Sequence, residues 1–386
     1  MSMIENLILP IIVILLSILW AVFFFCLKGI VNPVKPDRSI RISQQARDLH
    51  SQILVADLHA DSLLYRNSIL KKSRQGQVDI PRLLEGNVGL QVFTCVSKFP
   101  LDGNINRSNS GRDLVTPLAI LHGWPRRTWG SSYERAVYQI QKLKTFERES
   151  QGRLKIIRCQ TDLQAWEQAR ANHQPVVAAV AGLEGGHCLE GRLEALDLLF
   201  QEGYRLLSPT HFFDNELGGS LHGAEKGGLT PFGRQVIARM LALNMIIDLA
   251  HASEAMMTDI LAMVDRPVIL SHTGVKEVCD NNRNLADEFI CKIARTGGVI
   301  GIGFWDEATG SGRVRDIARS MRCTADRVGV EHVALGSDFD GFVRAPFDCS
   351  QMVQVTQALL EEGFSSSEIS LIMGGNVLRV LSALLP

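Results

Sequence analysis

The sequence has no long basic run, and 40 Lys and Arg against 41 Asp and Glu leave a formal net charge of −1. Without a positive stripe to displace counterions from phosphates, nucleic acid is not expected as a partner. None of the eight cysteines stands in a CxxC spacing. An even count scattered over so long a chain is weak ground for disulfides, and reduced structural thiols are expected instead. Internal repeats and low-complexity tracts are also missing. With 46% hydrophobic and 21% charged residues, that excludes a disordered or fibrous chain.

One stretch is not ordinary. Leu7 to Leu27 reads LILPIIVILLSILWAVFFFCL, 21 residues without a charge, long enough to cross a hydrocarbon core of about 30 Å as a helix. The preceding MSMIEN carries no Lys or Arg, no A-x-A site follows, and FFFC ending at Cys26 matches a lipoprotein cleavage site poorly. Residues 1–28 therefore read as an uncleaved single-pass membrane anchor rather than a signal peptide. Lys28, Lys35, Arg38, Arg41 and Arg47 follow the span and none precedes it, which by the positive-inside rule places the rest of the chain on the cytoplasmic side. Residues 29–50, with Pro33 and Pro36, read as a tether leading into a short helix, and 51–386 as the folded domain.

That domain alternates short apolar runs with amphipathic segments. The runs lie at 53–59, 88–94, 176–184, 204–211, 245–251, 267–272, 298–304 and 332–338, each rich in β-branched or small apolar residues. Helix signals fall between them. TDLQ at 161–164 has the form of a capping box, Thr230 with Pro231 that of an N-cap and first helical residue, and Ser253 can cap EAMMTDILAMV. Strands alternating with helices imply a parallel sheet, and eight such units predict an α/β fold of the (β/α)8 TIM-barrel type. LKIIR (154–158) is a ninth strand candidate, expected outside the barrel. Residues 95–175 break the spacing and read as an insertion: a long ordered loop over one barrel end, then the helix YERAVYQIQKLKTFERES.

The first run, VADLHADSLL, sets Asp57, His59 and Asp61 at alternate positions of an apolar stretch. Burying such groups is costly unless a partner offsets the desolvation. His59, Glu184, His211, His251, His272 and Asp338 each end a strand candidate, and in a (β/α)8 barrel those ends converge on one mouth. Imidazoles and carboxylates suit zinc, and two ions need roughly five or six protein donors. His59 and Asp61, two apart on an extended segment, point the same way and can grip one ion. His251 and His272 can grip another, with Glu184 bridging. Alone, each residue has a plainer reading: a hydrogen-bonded histidine, a helix-capping glutamate, a turn aspartate. Six such strand ends together favour the metal. Asp57 and Asp248 are expected to orient a ligand, and Asp340 to do the same or to serve the fold. His50, His122, His173, His187, His222 and His332 read as structural, although His122 and His222 sit in glycine-containing loops that can reach the mouth.

The stretches DLHAD, GLEGGH, SPTH, TPFGRQVIARM, IIDLAHAS, VILSH, NNRN, GSDFDG and GGNVLRVL resemble, in order, the motifs of the membrane (renal-type) dipeptidases, a binuclear zinc peptidase family. The likeness runs from about Ile53 to the C-terminus. It implies that His59, Asp61 and Glu184 hold one zinc ion and Glu184, His251 and His272 a second. It makes His211 a substrate-binding and catalytic histidine, Arg283 the clamp on the substrate carboxylate, and Asp338 the catalytic acid/base. The implied activity is hydrolysis of dipeptides, including those with a C-terminal D-residue, by a hydroxide held between the two ions; a homodimer is the implied assembly. Two features depart from the family. FFDNELGGS after His211 differs from the mammalian stretch, and LRVLSALLP lacks the spacer and long tail of a lipid-anchor signal, so attachment is expected at the N-terminus. The alternatives are another amidohydrolase-like metal-dependent hydrolase of a small amide or lactone, which would usually show HxH rather than HxD, and an inactive membrane-anchored barrel.

Overall fold

The computed structural model describes residues 32–100, 104–108 and 112–386, with the isolated position Leu15. The apolar run read as a membrane anchor otherwise lies outside the described residues. Among the described residues, nine strands form one parallel sheet: β1 (Val55–Ala60), β2 (Val88–Val96), β3 (Leu154–Ile156), β4 (Val177–Glu184), β5 (Tyr204–Ser208), β6 (Ile246–Ile247), β7 (Ile269–Thr273), β8 (Val299–Ile302) and β9 (Val333–Leu335). Their order is β6-β5-β4-β2-β1-β9-β8-β7. The two ends of that path meet. Asp248, just after β6, bridges Ile269 of β7 in parallel, and Leu249 N–H donates to the Ile269 carbonyl at 2.7 Å. The Asp248 carboxylate also accepts Ser271 N–H at 2.9 Å and Ala250 N–H at 3.0 Å. The α/β architecture is therefore a ring of eight parallel strands consistent with a (β/α)8 barrel, each strand supplied by one predicted apolar run. β3 stands outside the ring, as expected, pairing with Val177–Ala179 below the stretch of β4 that β5 takes.

Burial explains why these strands read as nearly unbroken apolar runs: every residue of β1, β2 and β4 is buried. Residues from all eight ring strands, among them Leu90, Val180, Leu206, Ile269, Val299 and Ala334, share a cluster with Val377, Val380 and Leu381 of the last helix. Two predicted caps form. Thr230 Oγ1 accepts Gly233 N–H at 3.0 Å ahead of Pro231–Ala242, and Ser253 Oγ accepts Met256 N–H at 3.0 Å ahead of Glu254–Leu261. The capping box at 161–164 does not. Helix Gln160–Ala171 begins two residues early, from Cys159, and Asp162 accepts the N–H of Arg158 at 2.9 Å instead.

One buried cation links the described parts of the insertion. Arg135, on helix Ser132–Glu149, donates to the carbonyls of Thr128 (2.8 Å) and Ser97 (2.7 Å) and to Asp113 (2.6 Å). That ties the first half of the insertion to the end of β2. Pro33 and Lys35, in the segment read as a tether, pair with Ala345. All described cysteines are free.

Among the described residues, Ser366–Leu384 is the one helical stretch long and apolar enough to cross a membrane, and it is half buried in the protein. Ile369, Ile372, Met373, Val377 and Val380 belong to the core, so it is a core helix. A π turn over Leu371–Gly375 breaks it, and a Cβ on Gly374 would meet the Leu54 carbonyl at 2.6 Å. Glycine there lets the helix lie against the start of β1.

Candidate metal centre

Glu184, the last residue of β4, is the hub. Its Oε1 lies 3.0 Å from His251 Nε2, 3.4 Å from His59 Nε2, 3.5 Å from His272 Nε2 and 3.6 Å from His211 Nε2. Its Oε2 is buried with no hydrogen-bond partner among the described residues. His59 Nε2 stands 3.5 Å from Asp61 Oδ1 and 3.8 Å from Asp338 Oδ1, and His251 and His272 bring their Nε2 atoms within 2.9 Å of each other. All six predicted strand-end residues, with Asp61, thus meet at one end of the barrel.

The local chain explains how. Gly185, next to the hub, has φ of 90°, and a Cβ on it would stand 3.0 Å from the His211 Cβ; only glycine turns there while His211 packs close. His251 and Asp338 take left-handed φ values of 62° and 60°, uncommon for residues with a Cβ, where the chain leaves strand geometry. Partners on the far side fix each ring. Ser271 Oγ is 2.8 Å from His272 Nδ1, His222 Nε2 is 3.0 Å from His251 Nδ1, and His211 Nδ1–H donates to the Lys98 carbonyl at 3.1 Å. The Thr94 hydroxyl sits 2.6 Å from Asp61 Oδ1. Such outer contacts leave the Nε2 atoms facing inward.

Arg283 is presented by the NNRN loop. Asn281 Oδ1 accepts the N–H groups of Arg283 (2.8 Å) and Asn284 (3.1 Å), and Asn284 Nδ2 donates to the Cys279 carbonyl at 2.7 Å. The buried guanidinium lies over the Trp305 ring at 5.3 Å and donates to the His272 carbonyl at 3.0 Å. Among the described residues it forms no ion pair. A cavity of about 480 Å³ joins Arg283 to Glu184 and His211, walled by Phe99, Phe212 and Phe342. Phe99 stacks on Phe342 at 5.3 Å and meets Phe212 edge-on at 4.8 Å.

Two expectations, for Asp57 and Asp248, are corrected. Asp57 touches no site imidazole: it accepts Ser337 N–H (2.8 Å), the Ser337 hydroxyl (2.7 Å) and Gln91 Nε2–H (2.7 Å), tying β1 to its two neighbours. Asp340 binds the Ser62 hydroxyl (2.6 Å) and Gln77 N–H (2.8 Å), and Asp248 closes the ring. These three aspartates serve the fold. Sequence reasoning passed over Thr94 and Ser271, and read as structural His222, which reaches the site from behind.

Burial pushes Glu184 up, but the His211 and His59 rings outweigh it and hold the carboxyl well below its ordinary range. Burial pushes His59 down, yet the Glu184 and Asp61 carboxylates hold it well above the ordinary value. Burial, with the Arg283 charge, keeps His251 well down, and burial, with His59, does the same for His272. Burial, reinforced by Asp61 and Glu184, drives Asp338 well up. Three groups of donors each fall within 4.8 Å: His59, Glu184 and His272; Glu184, His211 and His251; His59, Asp61 and Asp338. Inward Nε2 atoms, a buried unpartnered carboxylate oxygen and an imidazole-carboxylate donor set fit divalent cations of the zinc type.

The profile of the membrane dipeptidase family (peptidase family M19) matches residues 43–384. Dipeptidase verJ of Clonostachys rogersoniana is 30% identical over 326 residues, covering 80% of this chain and 83% of that protein. Dipeptidase aclJ of Aspergillus oryzae is 32% identical over 215 residues, which is 53% of this chain and 51% of that one, about half of that relative's length. A metallopeptidase from Rhodobacter sphaeroides, solved with a phosphinate mimic of the dipeptide L-Ala-D-Ala, shares the fold with a TM-score of 0.69 at 23% identity, over 86% of this chain and 99% of that one. By sequence along nearly its whole folded length, the chain belongs to the membrane dipeptidase family, peptidase family M19, a family of hydrolases.

Proposed function

We propose that this hydrolase cleaves dipeptides, including those with a C-terminal D-residue, using two zinc ions held by His59, Asp61, Glu184, His251 and His272. The carrying observation is the meeting of four Nε2 atoms at one Glu184 oxygen while the other is buried and unpartnered. Two divalent cations there would polarise the scissile carbonyl and lower the pKa of water from about 15.7 toward 7.

The chain's own residues do the rest. Asp338, kept protonatable by burial, takes the proton of the attacking water and delivers it to the leaving amine. His211, whose Nδ1–H is committed to the Lys98 carbonyl, turns Nε2 toward the cavity, where it binds the substrate at the carbonyl that becomes the oxyanion. Arg283, buried and without a described carboxylate partner, clamps the substrate's free carboxylate with paired hydrogen bonds. A cavity of about 480 Å³ suits a small ligand of dipeptide size. The same reading makes residues 51–386 the catalytic domain, anchored through the N-terminal apolar run with the domain on the cytoplasmic side, and working as a homodimer.

Metal analysis of the purified full chain, paired with a panel of L,L- and L,D-dipeptides and lactones, tests this. About two zinc ions per chain and dipeptide turnover abolished by chelation are expected. A metal-free active protein, or one turning over lactones but no dipeptide, overturns it.

A further inference from the structure

His222 is fully buried and does not line the cavity. It stands behind His251, with its Nε2 3.0 Å from His251 Nδ1 and its Nδ1 2.7 Å from the carbonyl oxygen of Ile105. A carbonyl only accepts, so His222 Nδ1 carries the hydrogen. In a neutral imidazole Nε2 is then bare and accepts, which places a hydrogen on His251 Nδ1. His251 Nε2 is bare in turn, and that atom lies 3.0 Å from Glu184 Oε1 and 2.9 Å from His272 Nε2. A lone pair facing a carboxylate oxygen is repelled unless a cation lies between them.

We infer that His222 is a positioning residue that relays the Ile105 carbonyl to His251 and so fixes the tautomer and ring angle with which His251 holds a cation. This rests on the metal reading proposed above. The relay has little freedom. Ser108 N–H donates to the His222 carbonyl at 2.6 Å and Leu221 N–H to the His251 carbonyl at 2.8 Å. Ser220 Oγ accepts the His222 N–H at 3.0 Å, and the Phe212 ring stacks on the imidazole at 4.3 Å and 16°. An imidazole suits this place better than a carboxylate. It passes on the carbonyl's acceptor character without adding a fourth buried negative group to Asp61, Glu184 and Asp338.

The test measures zinc affinity of the full chain by competition with a chromophoric chelator, for wild type, His222→Leu and His222→Gln. Leucine removes both contacts; glutamine keeps one donor and one acceptor. His222→Leu is expected to weaken uptake of one ion by about 10–100-fold, with most of the affinity returned in His222→Gln. Leucine binding within about twofold of wild type, or glutamine no better than leucine, overturns the inference, since a structural role alone would not make the two differ in affinity. Should the leucine variant fail to fold, His222→Asn, one methylene too short to span both partners, replaces it in the comparison with glutamine. A wild-type chain that takes up no zinc would instead overturn the metal reading itself.

Discussion

Glu184 Oε1 and His251 Nε2 stand 3.0 Å apart although 67 residues separate them in sequence. Three further Nε2 atoms crowd the same oxygen within 3.6 Å, so one carboxylate organises donors from several strands.

Replacing that carboxylate by its isosteric amide tests its part in both function and folding. Glu184→Gln is expected to lose bound zinc and to slow turnover on the order of a thousandfold or more. In chelator, it should melt lower than wild type, because the fold stabilises the ionised Glu184 and His59 loses its main counter-charge. Metal analysis and thermal melts in chelator check both halves.

Arg283→Ala should raise KM by about 10–100-fold, roughly 1.5–3 kcal/mol for a charge-assisted bond, and leave zinc content unchanged. Comparing a dipeptide with its C-terminal amide is decisive. Wild type should prefer the free carboxylate, and the variant should be indifferent; a variant that still discriminates places the clamp elsewhere.

Asp338→Asn keeps the shape of the side chain but cannot carry a proton. The expected outcome is a kcat lower by about 10²–10⁴ with zinc retained. Single-turnover rates beside metal content measure it, and loss of zinc would recast Asp338 as a ligand.

Acid stability should depend on His187. Burial, with the Lys98 charge, pushes it down to about 3, and its Nε2 has no described partner. The folded chain holds it neutral while the unfolded chain takes a proton below about 6.5. The stabilisation is therefore complete above about pH 6.5 and is lost as pH falls from there toward 3, at about 1.4 kcal/mol per unit. Urea midpoints between pH 7 and 5 should fall less steeply for His187→Met than for wild type.

The strands and the meeting of the strand-end residues were legible in the sequence for one reason. Strands buried on both faces read as apolar runs, so a polar residue at the end of a run marks the mouth. His222 gave no such mark, because it reaches the site through a glycine-containing loop whose path is set by Ser108, Ile105 and His251, all distant in sequence. The aromatic wall was equally hidden: Phe99, Phe212 and Phe342 come from three loops and meet only in space. Asp57 misled because it shares the alternation of His59 and Asp61 while facing Ser337 and Gln91. At 161–164 the pattern of a capping box failed because the helix starts at Gln160, two residues before a Thr161 cap would start it, and Asp162 is taken by the N–H of Arg158.

The junction of β6 and β7 has a consequence for the centre. β6 is two residues long, and its link to β7 runs through Asp248, three positions before His251 and facing the strand that carries His272. Whatever widens this seam also draws those two rings apart, so the spacing of the donors and the closure of the cylinder are a single mechanical coordinate.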